Sequence, residues 1–415
     1  MTMVVESSGS LAPSEATIMT SAGWGQRNTP SPRLDDWKAA RRILCVRLDA
    51  MGDVLMTSPA IEALRSAAES DHPRHITLLT SRSGTEAGKL LTCVDDIITV
   101  EVPWMKSGTA TDDGRSIIAL ADKLRTGRFD AAVIFTVYSQ NPLPAAMLCM
   151  MAGIPLRLAH CRENPYQLLT DWVREPEPAQ TVRHEVRRQL DLVQHVVGRE
   201  LPSQPMRIDV PVFISRHVRH LLETLGVSGD HLIVIHPGAT AASRRYPPSS
   251  FAAVARQLYQ ETGLDIVFTG GAEEAELIGQ IVAEAGVPYT SMAGRLSLTE
   301  LAALIQMAPL VICNNTGPSH LSAAVETPVV CLYALTNPQH TPWMVQRRVL
   351  YHDVSCRNCY SSTCREGHHH CLTKVTPSQV VQAALQLLRK AEQEAEQENY
   401  HRNNIHSGEL STCIL

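Results

Sequence analysis

Two rounds of one pattern run through the chain. Short apolar segments break into turns and are followed by stretches with helical periodicity. The first round opens with "RILCVRL" (42–48) and continues through "HITLLT" (75–80), "DIITVEV" (96–102) and "DAAVIFTV" (130–137). Between them, "VLMTSPAIEALRSA" and "GRSIIALADKLRTG" carry apolar residues at helical spacing. The second round opens with "HLIVIHPG" (231–238) and continues through "LDIVFTGG", "LVICNN" and "PVVCLYA", with helical segments between them. Alternation of this kind predicts a parallel sheet flanked by helices, twice over. Neither round is long enough for a TIM barrel. The expected fold class is therefore α/β: two Rossmann-like, doubly wound domains facing across a cleft, at 41–212 and 213–394.

At 415 residues, two domains are also what length alone suggests. The formal charge of -5, with histidine counted as neutral, argues against a general nucleic-acid binder, which should carry a basic excess. Residues 1–40 are rich in Ser, Thr, Gly and Pro, and residues 395–415 are strongly polar; both are expected as disordered tails. The opening residues lack the basic-then-apolar order of a secretory signal. The most apolar run, "PAAMLCMMAGIPL", is broken by Gly153 and Pro155 and falls short of the ~20 residues needed to span a bilayer. A cytoplasmic protein is expected, with peripheral contact at the cytoplasmic face of the inner membrane left open. Cys413 is third from the end, the wrong place for a prenylation box.

In open α/β sheets the ligand lies beyond the carboxyl ends of the strands, so function is sought in the strand-to-helix turns. Four stand out. In "RLDAMGDVLMTSP", Asp53 lies at or near a helix's first turn, where it reads either as a cap favoured by the helix dipole or as a carboxylate able to take a proton. In "HPGATAASRRYP", Thr240, Ser243, Arg244 and Arg245 offer hydroxyls and guanidinium groups suited to phosphate. In "TGGAEEAEL", two glycines permit close backbone approach, and Glu273 could accept hydrogen bonds from a ribose. In "NNTGPSH", Thr316 and Gly317 begin a helix that tolerates Pro318 early, and its free amides attract anions; His320 falls in its first turn.

A fifth feature is "CRNCYSSTCREGHHHC". Cys356, Cys359, Cys364 and Cys371, with three histidines among them, have metal-ligand character, and reduced cytoplasmic thiols favour zinc over disulfides. The spacing matches no common zinc module, so the expectation is a candidate structural zinc site without a catalytic role.

Taken in order, "ILCVRLDAMGDVLMTSPAIEALR", "HPGATAASRRYPPSSFAAVARQL", "FTGGAEE" and "NNTGPSHLSAAVETPVVCLYALTNPQHTPW" resemble glycosyltransferase family 9, the ADP-heptose:lipopolysaccharide heptosyltransferases. The likeness runs from about residue 41 to about 390. It implies a GT-B fold, with an N-terminal acceptor domain and a C-terminal nucleotide-sugar domain. It also implies an inverting transfer from an ADP-sugar donor to a lipopolysaccharide core or other glycan acceptor, with no cofactor required. Carried over by motif, Asp53 matches the general base. Thr240 and Arg244 match the donor-phosphate positions, where the family often has Lys for Arg244. Glu273 matches the ribose-binding carboxylate, and Thr316, Gly317 and His320 match the diphosphate-binding helix start. Asn315 stands where many members have an Asp that contacts sugar hydroxyls, and Tyr246 replaces a frequent Trp. Two other functional classes fit the same scaffold: a nucleotide-sugar epimerase, and a non-catalytic nucleotide-sugar-binding protein. A dinucleotide dehydrogenase is disfavoured, since no G-x-G-x-x-G follows either opening strand.

Overall fold

The computed structural model describes residues 2–5, 33–67, 73–106 and 114–409. Residues 6–32 and 410–415, Cys413 among them, lie outside this range. The chain divides into two compact units.

A first strand, β1 (Thr2–Val5), belongs to the C-terminal unit. The N-terminal unit then takes the described chain from residue 33 to Pro211, together with the short segment Pro338–Met344. Its elements are α1 (Leu34–Ala39), β2 (Arg42–Arg47), α2 (Met51–Ser66), β3 (His75–Thr80), α3 (Arg82–Gly88), β4 (Asp96–Thr99), α4 (Arg115–Thr126), β5 (Ala131–Ile134), α5 (Leu143–Met151), β6 (Leu156–Cys161), β7 (Asp171–Arg174) and α6 (Glu185–Val197). All strand pairs are parallel, in the order β4-β3-β2-β5-β6-β7. β5 and most of β2 and β3 are buried on both faces, the pattern of a sheet covered by helices on each side. Pro59 lies inside α2 and can offer no amide to the carbonyl of Leu55; the Ser58 hydroxyl donates to that carbonyl instead, at 2.7 Å.

The C-terminal unit holds α7 (Val212–Thr224), β8 (Leu232–His236), α8 (Pro248–Thr262), β9 (Asp265–Phe268), α9 (Ala275–Ala285), β10 (Thr290–Ser291), α10 (Leu298–Met307), β11 (Val311–Asn314), α11 (Gly317–Ala324), β12 (Val329–Leu332), β13 (Arg347–His352), α12 (His370–Thr373) and α13 (Pro377–Glu409). Its sheet order is β1-β13-β12-β11-β8-β9-β10, parallel except for β1, which pairs antiparallel with β13. Sequence cues hold locally. α8 starts at a Pro pair and stops at Gly263, whose φ of 69° only glycine adopts without strain. α10 opens on a reciprocal cap between Ser297 and Glu300.

Counted within each unit, both parallel sheets run 3-2-1-4-5-6, the doubly wound order in which the connection reverses direction beside the first strand. The reversal falls between β2 and β5 in one unit and between β8 and β11 in the other. The turns after β2, β8 and β11 are among those that the sequence marked; the fourth follows β9.

Three boundaries differ from expectation. Residues 34–39 form a helix rather than part of a tail, because Trp37 is buried and its indole N–H donates to Asp171 at 3.0 Å. The last helix runs on to Glu409: good helix formers carry it through Glu398, and no proline breaks the polar run beyond. Segment Pro338–Met344 belongs to the N-terminal unit although it lies between β12 and β13. Its anchors are the Gln339 carbonyl on the Glu185 amide, the Thr341 carbonyl on His184, and the Trp343 indole on the Gln204 carbonyl at 2.8 Å. Among the described residues, no helix is long and apolar enough to cross a membrane.

Candidate active site

In the N-terminal unit the site begins with a charge at the end of an apolar strand. Arg47 closes β2 and has no solvent exposure. A buried guanidinium needs anionic partners, and this one faces three. Its Nε lies 3.1 Å from Asp49, its Nη2 3.2 Å from Asp53 and its Nη1 3.1 Å from Glu185. Only the contact to Asp53 is aligned as a hydrogen bond.

Asp53 is the third residue of α2, and Ala50 is the cap, so the capping reading of Asp53 does not hold. Its side chain keeps 17% exposure, which leaves room for a substrate hydroxyl. Burial lifts its proton affinity above the usual carboxylate range; Arg47 opposes this and Glu185 adds to it. Asp49, bound also by the Gln140 amide, is pushed up to about 6 by burial, against the pull of Arg47. Glu185 goes the other way: burial works against its ionisation, but Arg47 and Arg188 hold it below the ordinary value.

In the C-terminal unit, β8, β9 and β11 are parallel neighbours, so the turns that leave them share one edge of the sheet. Asn314 joins two of these turns. Its amide donates to the Pro237 carbonyl at 2.8 Å, and its oxygen accepts from the Tyr246 N–H at 3.1 Å. Tyr246 is itself held by its hydroxyl on the Val375 carbonyl at 2.8 Å and by edge-on packing with Phe251. Within this frame Thr240 is exposed and Arg244 half-buried, its Nη1 donating to the Asn315 carbonyl at 3.3 Å. Thr316 caps α11 without a side-chain hydrogen bond of its own to the helix amides. Thr316 and Gly317 are half-buried, and His320 is 5% exposed. The turns thus bring Thr240, Arg244, Asn315, Thr316 and Gly317 to one strand edge, while His320 lies inward.

Two positions sit differently from their neighbours in ways the sequence did not separate. Asn315 is 3% exposed and its side-chain oxygen accepts from the Ala334 N–H at 3.2 Å, so that oxygen braces the backbone. Glu273 is exposed, whereas Glu274 turns inward: it accepts from the Gly271 N–H at 2.9 Å and lies 3.8 Å from His236. Burial pushes His236 down to about 4, so it is neutral near pH 7 and the contact is not an ion pair. Glu274 also packs against Gly238: a Cβ at that glycine would fall 1.7 Å from the carboxylate.

Cys356, Cys359, Cys364 and Cys371 line one small cavity with His368, His369 and Ser243. The donor types suit zinc. Cys356 lies 3.9 Å from His368, yet among the described residues no three His, Cys, Asp or Glu side chains converge as metal ligands. The segment nevertheless touches the phosphate-type turn. The Ser243 N–H donates to the Ser362 carbonyl at 2.9 Å and its hydroxyl to the Ser361 carbonyl at 2.7 Å. Ser243 is thereby a support for Arg244 next to it. Ser243→Ala removes one of the two bonds, worth about 1 kcal/mol; the expected result is a donor KM raised several-fold with little change in kcat, read from initial rates.

Arg47, Asp49, Gln140, Glu185, Asn314 and Glu274 were not singled out by sequence reasoning. Arg47 had a signal: a charge at the carboxyl end of a strand whose four inner residues are apolar.

Each unit is doubly wound α/β; a cluster of acids around Arg47 stands at the switch point of one, and the turns carrying Thr240, Arg244 and Thr316 at that of the other. Comparison with known proteins agrees. The profile of Glycosyltransferase family 9 (heptosyltransferase) matches residues 117–370, more than half of the sequence, and the chain belongs to that family. Lipooligosaccharide heptosyltransferase 2 of Campylobacter jejuni is 31% identical over 170 residues, which cover 40% of this chain and 53% of that protein. The chain thus spans about half the length of this relative. Lipopolysaccharide heptosyltransferase 1 of Salmonella typhimurium is 26% identical over 72% of this chain and 89% of its own length. The solved structure of Escherichia coli ADP-heptose LPS heptosyltransferase II superposes with a TM-score of 0.67 at 22% identity, over 85% of this chain and 99% of that one, a likeness of fold. The fold is GT-B, built of two Rossmann-like domains.

Proposed function

We propose that the protein is an inverting glycosyltransferase that moves a heptose or related sugar from an ADP-sugar to a lipopolysaccharide core or other glycan acceptor. The observation that carries this reading is the partly exposed carboxylate of Asp53, raised in proton affinity at the switch point of a family 9 chain. In the proposed step the acceptor oxygen bonds to the anomeric carbon of the donor as the bond from that carbon to the diphosphate oxygen breaks. The acceptor's proton passes to Asp53, and ADP leaves with the electron pair. Negative charge grows on the diphosphate, so donors aimed at it stabilise the transition state more than the ground state. Thr240, Arg244 and the α11 start, Thr316 and Gly317, are the proposed donors. His320, inward in the fold, is proposed to act from behind that helix start. Glu273 is proposed for the nucleotide ribose, with Glu274 holding the glycine turn beneath it.

The test is acceptor-dependent release of ADP from ADP-heptose, with mass detection of the extended glycan. Conversion of donor without acceptor would mean an epimerase, and tight ADP binding without turnover on any acceptor a non-catalytic binder. Work at a cytoplasmic site, in peripheral contact with the inner membrane, follows from the acceptor class proposed.

No cofactor is needed by this chemistry, because the diphosphate charge is met by amides and Arg244. Dialysis against EDTA is therefore expected to leave kcat unchanged. Zinc held by Cys356, Cys359, Cys364 and Cys371 would register as metal content near one per chain and as a lower Tm after chelation. A kcat lost on dialysis and restored by a divalent ion would overturn this assignment.

A further inference from the structure

One buried guanidinium facing three carboxylates is more acid than stability favours. Asp49, Asp53 and Glu185 all lie within 3.2 Å of Arg47. The nearest second cation, Arg188, is committed to Glu175 and to the Thr136 carbonyl, and reaches Glu185 only at 3.8 Å. Unequal buried charges are costly, so the arrangement calls for another explanation.

We infer that Arg47 and Glu185 are positioning residues of the transfer reaction. Arg47 fixes where the Asp53 carboxylate points, and Glu185, with Asp49, offsets the charge of Arg47 so that Asp53 stays basic enough to take the acceptor's proton. The inference rests on the reading of Asp53 as general base. A carboxylate paired one-to-one with a buried arginine loses about 1–3 pH units of proton affinity and makes a poor base near neutrality. Sharing the guanidinium among three anions removes most of that loss.

Glu185 is built into place for this. It is the first residue of α6, which packs along α2, and it is wholly buried. Its N–H donates to the Gln339 carbonyl at 3.0 Å, and its carboxylate accepts from the Gln189 amide at 2.7 Å. The charged groups that face Asp53 are Arg47 from β2, Asp49 from the turn before α2 and Glu185 from α6. Arg188 and His340 act on Glu185. From the β3–α3 side, the Met51 N–H donates to the Ser83 hydroxyl and Gly84 lies against Val54, and neither Ser83 nor Gly84 titrates near neutrality. The raised proton affinity of Asp53, to which Glu185 contributes, agrees with the geometry.

The test uses the full-length enzyme with ADP-heptose and a glycan acceptor, and reads kcat/KM against pH. Glu185→Gln keeps the shape and removes the charge. Its acid limb is expected to move down by about one pH unit, with a plateau several-fold lower, since a weaker base transfers the proton less well. KM for the donor should not change. Asp49→Asn is expected to move the limb the same way; Asp49 touches solvent, so this variant carries the test if Glu185→Gln does not fold. Both variants folded and both limbs unmoved, with only Tm lowered, would mean a structural role and overturn the inference. Asp53→Asn run in parallel separates the two levels. An inactive Asp53→Asn with unmoved limbs defeats the positioning roles alone; an active one defeats the base assignment, and this inference with it.

Discussion

Asp53→Asn is expected to lower kcat by about 10²–10⁴-fold, the usual contribution of a positioned general base, while ADP affinity stays within about twofold of the parent protein. The reasons lie in the geometry. The Asp53 side chain is held by the Nη2 of Arg47 at 3.2 Å and is partly open to solvent. Asn preserves the size of that side chain and most of its hydrogen bonding but cannot take up the acceptor's proton. The proposed donor-phosphate groups come from β8, β11 and α11, all in the other unit, so nucleotide binding has no reason to change. Isothermal titration with ADP and initial-rate kinetics on the same preparation would check both halves. Turnover within threefold of the parent would remove Asp53 from the chemistry.

Arg47→Met carries the second large effect, this time on stability. Losing the buried cation from this largely buried ion cluster costs about 3–5 kcal/mol, because Asp49, Asp53 and Glu185 would face one another without it. The pH dependence has a definite sign. Removing the guanidinium raises the folded-state proton affinity of all three carboxylates, and Asp49 starts from about 6. A carboxylate that holds its proton more tightly folded than unfolded gains stability as pH falls through its raised folded value. The deficit is therefore full above that value and closes as pH approaches the unfolded carboxylate value of about 4. Urea unfolding of the N-terminal unit at pH 7 and pH 5 should show a smaller penalty at pH 5. An equal or larger penalty there would contradict the charge-repulsion account.

Much of the fold was legible in order along the chain. Apolar runs with helical spacers, Pro at helix starts and Gly at their ends are local signals, and they located β2 to β5, β8, β9, β11, β12 and the turns that carry Asp53, Arg244 and Thr316; they did not mark β6, β7, β10 or β13. The tail boundary was missed because "LDDWKA" is too short to show periodicity; burial of Trp37 against Asp171 makes it a helix. In the site, neighbours with the same chemistry could not be told apart. Asn314 and Asn315, and Glu273 and Glu274, are identical letters side by side, and the backbone direction at each turn decides what each one bonds and, for the glutamates, which turns inward.

By itself, the sequence determined a doubly wound chain in two rounds, with an acid after the first strand of one and glycine- and hydroxyl-rich turns in the other, because secondary-structure period and turn chemistry depend only on residues close in sequence. The tertiary structure alone decided that Arg47 gathers Asp49, Asp53 and Glu185, and that Ser243 leans on the cysteine segment. Charges shift one another's proton affinity only once they are near in space and shielded from water, and neither condition leaves a mark on the order of residues.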